Sequence, residues 1–116
     1  MKLIIAGSRT LTNYSLLKER VDFMLSNTAM PIEIISGGAI GADKLGERYA
    51  KEKGYYVKMF LPDYEEYGIV APLIRNTEMA KYATHAIIFW DGKSTGSDDM
   101  IKKCEPNGVV YKVVRF

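Results

Sequence analysis

Five short apolar runs punctuate the chain, and between them apolar residues return at intervals of three or four. The runs are KLIIA (residues 2 to 6), IEIIS (32 to 36), YYVKMF (55 to 60), HAIIFW (85 to 90) and VVYKVV (109 to 114). They are rich in β-branched and aromatic residues, with Gly, Pro or Asn close by, and predict strands. Between the first two, Leu16, Leu17, Val21, Met24 and Leu25 recur at helical spacing behind Thr12 or Asn13, either of which can cap a helix start. DKLGERYAKEKG places Leu45, Tyr49 and Ala50 on one side of a second helix and closes on Gly54, a residue type that favours a left-handed C-terminus. VAPLIRNTEMAKYA predicts a third helix, with Pro72 tolerable only near its first turn. SDDMIKKCE predicts a short fourth that ends before Pro106.

Strands that alternate with helices in this way favour a parallel sheet covered on both faces, because a parallel connection requires a crossover. The expected fold is a small Rossmann-like three-layer α/β sandwich, with a five-stranded, mainly parallel sheet and helices on both faces. Residues 1 to 116 read as one domain, since no repeat, linker or low-complexity run divides them. Ligands of such sheets bind beyond the carboxyl ends of the strands, where the strand order reverses. GSRT, GGAIGAD, PDYEEYG and DGKSTGSDD follow the first four strands, so all four fall on that edge.

Composition narrows the function. With 47% apolar and 26% charged residues, a chain of 116 builds one proper core. A net charge of +2 gives no general footprint for duplex nucleic acid or anionic membrane, so any anion must be held by local geometry. Cys104 is the single cysteine, which excludes an internal disulfide and suits a reducing compartment. The apolar start, Met1 to Ala6, is too short for a signal or spanning segment. A cytoplasmic protein without membrane attachment is expected. His85, the only histidine, lacks companions for a metal site and reads as structural, so no metal is expected.

The candidate chemistry lies in the loops. GGAIGAD puts Gly37, Gly38, Ala39 and Gly41 within five positions. Consecutive glycines let a ligand approach backbone N–H groups closely, and a helix starting near Ala39 would aim its free donors and dipole at a phosphate there. The plainer reading is a tight turn at Gly37 and Gly38, with Gly41 and Gly46 permitting close helix–sheet packing. Neither a GxGxxG dinucleotide fingerprint nor a Walker loop is present. In DGKSTGSDD, Gly92, Ser94, Thr95, Gly96 and Ser97 combine small residues, hydroxyls and a helix start suited to a second phosphate or a ribose. Asp98 and Asp99 favour the helix dipole but repel a phosphate in the same place, so at least one is expected to face away or to meet sugar hydroxyls. Asp91 is either a turn residue or a ribose-binding or acid–base carboxylate. Arg9 and Arg75 can each pair bidentately with a phosphate, and its loop position favours Arg9. Trp90 has the two readings of base stacking and core packing. DYEEYG is either a cover for the site or a solvated loop.

Taken together, IAGSRT, ISGGAIGADKLGERYAKEKG, RNTEMA and AIIFWDGKSTGSDDMI resemble the YspA-type branch of the SLOG superfamily over nearly the whole chain. That superfamily also includes the LONELY GUY phosphoribohydrolases and DNA-processing protein A. The resemblance implies a Rossmann-like domain for nucleotides or nucleotide-derived ligands. Gly7, Ser8, Arg9, Gly37, Gly38, Asp43, Arg75, Asn76, Asp91, Ser94, Gly96 and Ser97 stand at matching motif positions. It departs from the LONELY GUY pattern at the catalytic glutamate, where Met100 aligns; Arg75 and Met79 match.

Three functions follow. The first is a sensor or binding module for a nucleotide or an ADP-ribose-like NAD derivative, with no further cofactor required. Gly37 to Ala39 and Ser94 to Ser97 would hold phosphates there, and Arg9 or Arg75 would neutralise them. The second is an N-glycosidic hydrolase using Asp91, Asp98 or Asp99. The third, which the near-neutral charge disfavours, is single-stranded nucleic-acid binding through Arg9, Arg75 and stacking aromatics. A homo-oligomer, most simply a dimer, is expected because relatives tend to dimerise.

Overall fold

In the computed structural model, which describes residues 1–116, five strands form one parallel sheet in the order β3-β2-β1-β4-β5. The strands are β1 (Lys2–Gly7), β2 (Glu33–Ser36), β3 (Tyr56–Met59), β4 (His85–Trp90) and β5 (Val110–Arg115). The helices are α1 (Tyr14–Leu25), α2 (Ala42–Lys53), α3 (Tyr64–Tyr67), α4 (Ala71–Tyr82) and α5 (Thr95–Cys104). Every strand pair is parallel. No helix is long and apolar enough to cross a membrane.

The central strands are apolar on both faces, as a doubly covered sheet demands. Leu3 and Ile5 of β1, Ile34 of β2, and Ile87 and Phe89 of β4 join Leu17 and Val21 of α1 and Tyr49 of α2 in one core. The alternate residues, Ile4, Ala6, Ile35, Ala86 and Ile88, pack on Met79, Met100 and Cys104 of α4 and α5. Each fully buried aliphatic side chain contributes about 1.5–3 kcal/mol of apolar burial, which secures the helices to their faces. Gly46 lets α2 approach closely, since a Cβ there would lie 2.8 Å from Ile5.

Several boundaries depart from the periodicity. α2 begins at Ala42 rather than near Ala39, because Gly41 adopts φ +84° and interrupts the helical path. α5 begins at Thr95, two residues earlier than its apolar pattern, because Ser94 caps it. DYEEYG is a one-turn helix, α3, capped by Asp63, followed by a 3₁₀ turn over Gly68–Val70.

Because β2 and β3 lie to one side of β1 while β4 and β5 lie to the other, the strand order reverses between β1 and β4. Their carboxyl ends diverge there and open a crevice.

Candidate functional site

At that crevice β1 is fastened to β4 through Ser8, which is fully buried. Its N–H donates to the Phe89 carbonyl at 2.8 Å and its Oγ accepts from the Asp91 N–H at 3.1 Å. Its carbonyl accepts from the N–H groups of Leu11 and Ala42. Ser8 thus ties three segments together and has no free group for a ligand. Gly7 admits this closure, because a Cβ would collide with the Phe89 carbonyl.

Asp91 continues the same turn. Its Oδ1 accepts from the N–H groups of Lys93 and Ser94, each at 2.8 Å, and its Oδ2 from the Thr10 hydroxyl at 3.1 Å. The two backbone donors, chiefly, hold its carboxyl down at about 2. Gly92 (φ +84°) turns the chain against the Arg115 guanidinium, which also lies over the Trp90 ring. The Trp90 indole N–H donates to the Ser94 carbonyl at 3.0 Å.

On the opposite side, the glycine-rich turn uses its own donors. Gly38 N–H donates to Ser36 Oγ at 3.1 Å and Ala39 N–H to Asp43 Oδ2 at 3.2 Å. Ser36 in turn donates to Glu47 at 2.6 Å. Asp43 is only 5% exposed, and burial pushes its carboxyl up to about 6 against the pull of the Ala39 N–H and Arg75. Gly37 has no Cβ because Arg75 Nη1 and Asp43 Oδ2 converge on that point.

α4 supplies Arg75 and Asn76. Arg75 donates to the carbonyls of Gly37 (2.5 Å) and Phe60 (3.5 Å) and to Asn76 Oδ1 (3.1 Å), all neutral acceptors. It takes part in none of the six ion pairs of the protein. Asn76 donates to the Gly96 carbonyl and to Asp99. Asp98 and Asp99 pair with Lys102 (2.9 Å) and Lys103 (2.8 Å) one turn on. At the start of α5, Ser94 Oγ accepts from Ser97 N–H and the Ser94 carbonyl from Asp98 N–H. The N–H groups of Thr95 and Gly96 are left without a partner in the chain.

Between these walls lies a cleft of about 510 Å³. Of the residues that the sequence singled out, Gly7, Arg9, Ala39, Asp43, Arg75, Asn76, Asp91, Ser94, Thr95, Gly96 and Ser97 line it. Ser8, Gly37, Gly38, Gly92, Asp98, Asp99 and Trp90 stand outside the lining, and His85 lies at the opposite edge of the sheet, where it opens β4 and its Nδ1 contacts the Thr84 hydroxyl. Met79 and Met100, which stand at positions of the LONELY GUY pattern, form an apolar floor with Ala6, and Ile69, Pro72 and Leu73, which no sequence pattern marks, form the rim. Thr10 also joins the lining. No group of three or more His, Cys, Asp or Glu comes together as a metal site.

A family model described as YspA, cpYpsA-related SLOG family matches residues 1–67. The chain belongs to this family. The matched part contains the GSRT and GGAIGAD turns of the SLOG domain, whereas α4 and α5, which complete the cleft, lie beyond it. The Gene 61 protein of Mycobacterium phage D29 is 25% identical over 114 residues, covering 93% of this chain and 91% of that protein. No solved structure matches.

Proposed function

We propose that this SLOG protein binds a nucleotide or nucleotide-derived ligand bearing phosphate, of the ADP-ribose or NAD-derived kind, and acts as a sensor or binding module. The observation that supports this reading most is Arg75, a half-buried guanidinium on the cleft wall that has only neutral acceptors. A desolvated cation whose hydrogen bonds all go to neutral acceptors is costly, and an anionic ligand on its unengaged Nη2 adds to the charge of the nearby Asp43. Arg9 stands beside the same cleft, likewise outside every ion pair. The floor of Ala6, Met79 and Met100 suits the apolar face of a base or ribose.

N-glycosidic hydrolysis is the second reading, and its candidates are unequally placed. It needs a carboxyl at the ligand that exchanges a proton or steadies a cationic centre. Asp98 and Asp99 are engaged by lysines, and Asp91 is held ionised by three donors, so these carboxylates order the loop and α5. Binding without turnover is therefore preferred.

Self-association belongs to the same proposal. Tyr56, Leu61, Tyr64 and Ile69 are exposed on β3, α3 and the turns beside them, and Ile69 reaches the cleft rim. A second copy seated there buries these side chains and narrows the cleft mouth.

Thermal unfolding against AMP, ADP-ribose, NAD, ribose 5-phosphate and a short oligonucleotide, with chromatography of each mixture, tests the function. A ligand at about 100 times its dissociation constant stabilises by roughly 2.7 kcal/mol, a shift of several degrees for a domain of this size. A shift with the ligand intact is expected. Released base makes the protein an enzyme, and no shift with any of these removes the proposal.

A further inference from the structure

The two ends of the cleft differ in what they offer an anion. At α5 the Thr95 and Gly96 N–H groups are open. Arg75 spans the two ends, its Nε on Asn76, which holds the Gly96 carbonyl, and its Nη1 on the Gly37 carbonyl beside Asp43 Oδ2. At α2 the donors that a glycine-rich turn would present are used within the chain. Gly38 N–H is held by Ser36, and Ala39 N–H by Asp43, a carboxylate 5% exposed that itself lines the cleft. The chain's own anion already sits where a second phosphate would go.

We propose that Asp43 is the specificity-determining residue of this cleft: by occupying the α2 turn with its own carboxylate, it limits the ligand to one anionic group, seated at α5. Toward the rest of the ligand it presents an acceptor suited to hydroxyl or amine N–H donors. The inference rests on the phosphate-binding reading above and sharpens it: a compound with a single phosphate at one end and hydrogen-bond donors at the other fits, whereas a second phosphate meets a like charge at short range in a site shielded from water.

The charged groups around Asp43 are Glu47 on its own helix, Arg75 from α4 and Arg9 from the turn after β1, with Asp91 across the cleft. β2 brings only Ser36 and the glycine backbone to it. Burial is the main cause of its raised carboxyl, at about 6, so mild acid neutralises it and relieves the repulsion.

Calorimetric titration with inorganic phosphate and pyrophosphate near pH 8 tests this. Wild type is expected to bind the two within about threefold of each other, and Asp43→Ala to favour pyrophosphate by at least about tenfold. An unchanged ratio in a folded variant overturns the inference. If circular dichroism shows that Asp43→Ala does not fold, wild type and Asp43→Asn are titrated with sulfate, whose charge is constant, from about pH 7.5 to 5. Wild-type affinity then rises several-fold as the pH falls through about 6 while Asp43→Asn stays flat; matching profiles overturn the inference. Absence of any phosphate or sulfate binding to wild type removes the phosphate-binding reading itself, and this one with it.

Discussion

Asn76 donates to Asp99 Oδ2 at 3.0 Å and to the Gly96 carbonyl at 3.2 Å, while its oxygen accepts from Arg75 at 3.1 Å. One amide therefore sets both the first turn of α5 and the arginine facing it. Asn76 is 6% exposed, so its removal strands those partners in a desolvated place. Asn76→Ala is expected to lower stability by about 2–3 kcal/mol in urea unfolding and to abolish the AMP-induced thermal shift. Asn76→Asp puts a carboxylate against Asp99 and fares no better.

Two glycines predict opposite outcomes. Gly41 has φ +84°, and a Cβ there would lie 2.5 Å from the Ser8 carbonyl, so Gly41→Ala costs roughly 2–4 kcal/mol. Gly96 lies in the first turn of α5 with open space at its Cβ position, so Gly96→Ala raises stability by up to about 1 kcal/mol. Its methyl group, however, stands on the cleft lining beside an open N–H. Thermal unfolding with and without AMP should show the variant more stable alone yet less responsive to ligand.

The contrast between these glycines marks the limit of what the sequence discloses. β4 was legible residue for residue, because a buried parallel strand is a continuous apolar run. The start of α2 was not: the glycines were plain, but the angle adopted at Gly41 depends on the Ser8 carbonyl across the crevice. α3 escaped notice because one turn carries no periodicity and only Asp63 signals it. At the site, residue types and loops were readable and pairings were not. Ser8 lies 83 residues from Asp91, and Arg75 lies 38 from Gly37. No local pattern distinguishes a cleft-facing arginine in a helix from a solvated one, so the sequence favours Arg9, in its loop, over Arg75.

Stability should depend on pH with two opposite slopes. Asp43 titrates at about 6 in the folded protein against 3.8 ordinarily, so the folded state holds this proton more tightly and the contribution is lost as pH rises through about 6. Asp91, held at about 2, contributes in the other sense: its stabilisation is present above 3.8 and is lost as pH falls toward 2. Asp43→Asn is expected to be more stable than wild type near pH 7.5 by on the order of 1–2 kcal/mol, with the difference vanishing near pH 4. Urea unfolding at both pH values measures it.

The exposed face formed by β3 and α3 makes a separate prediction. Ile69 is 94% exposed and Tyr56 83%, an unusual display for large apolar residues. Sedimentation of the wild type should show concentration-dependent dimer, and Ile69→Asp should shift it to monomer without loss of thermal stability. A wild type that stays monomeric at high concentration removes the self-association proposal.

The proposed seat of the anionic ligand is the start of α5, and amide-resolved NMR during an AMP titration reads that seat residue by residue. Thr95 and Gly96 N–H resonances are expected to shift downfield and saturate together, while Gly38 and Ala39, bonded within the chain, move little. Saturable shifts centred on Gly38 and Ala39, or none at Thr95 and Gly96, would contradict it.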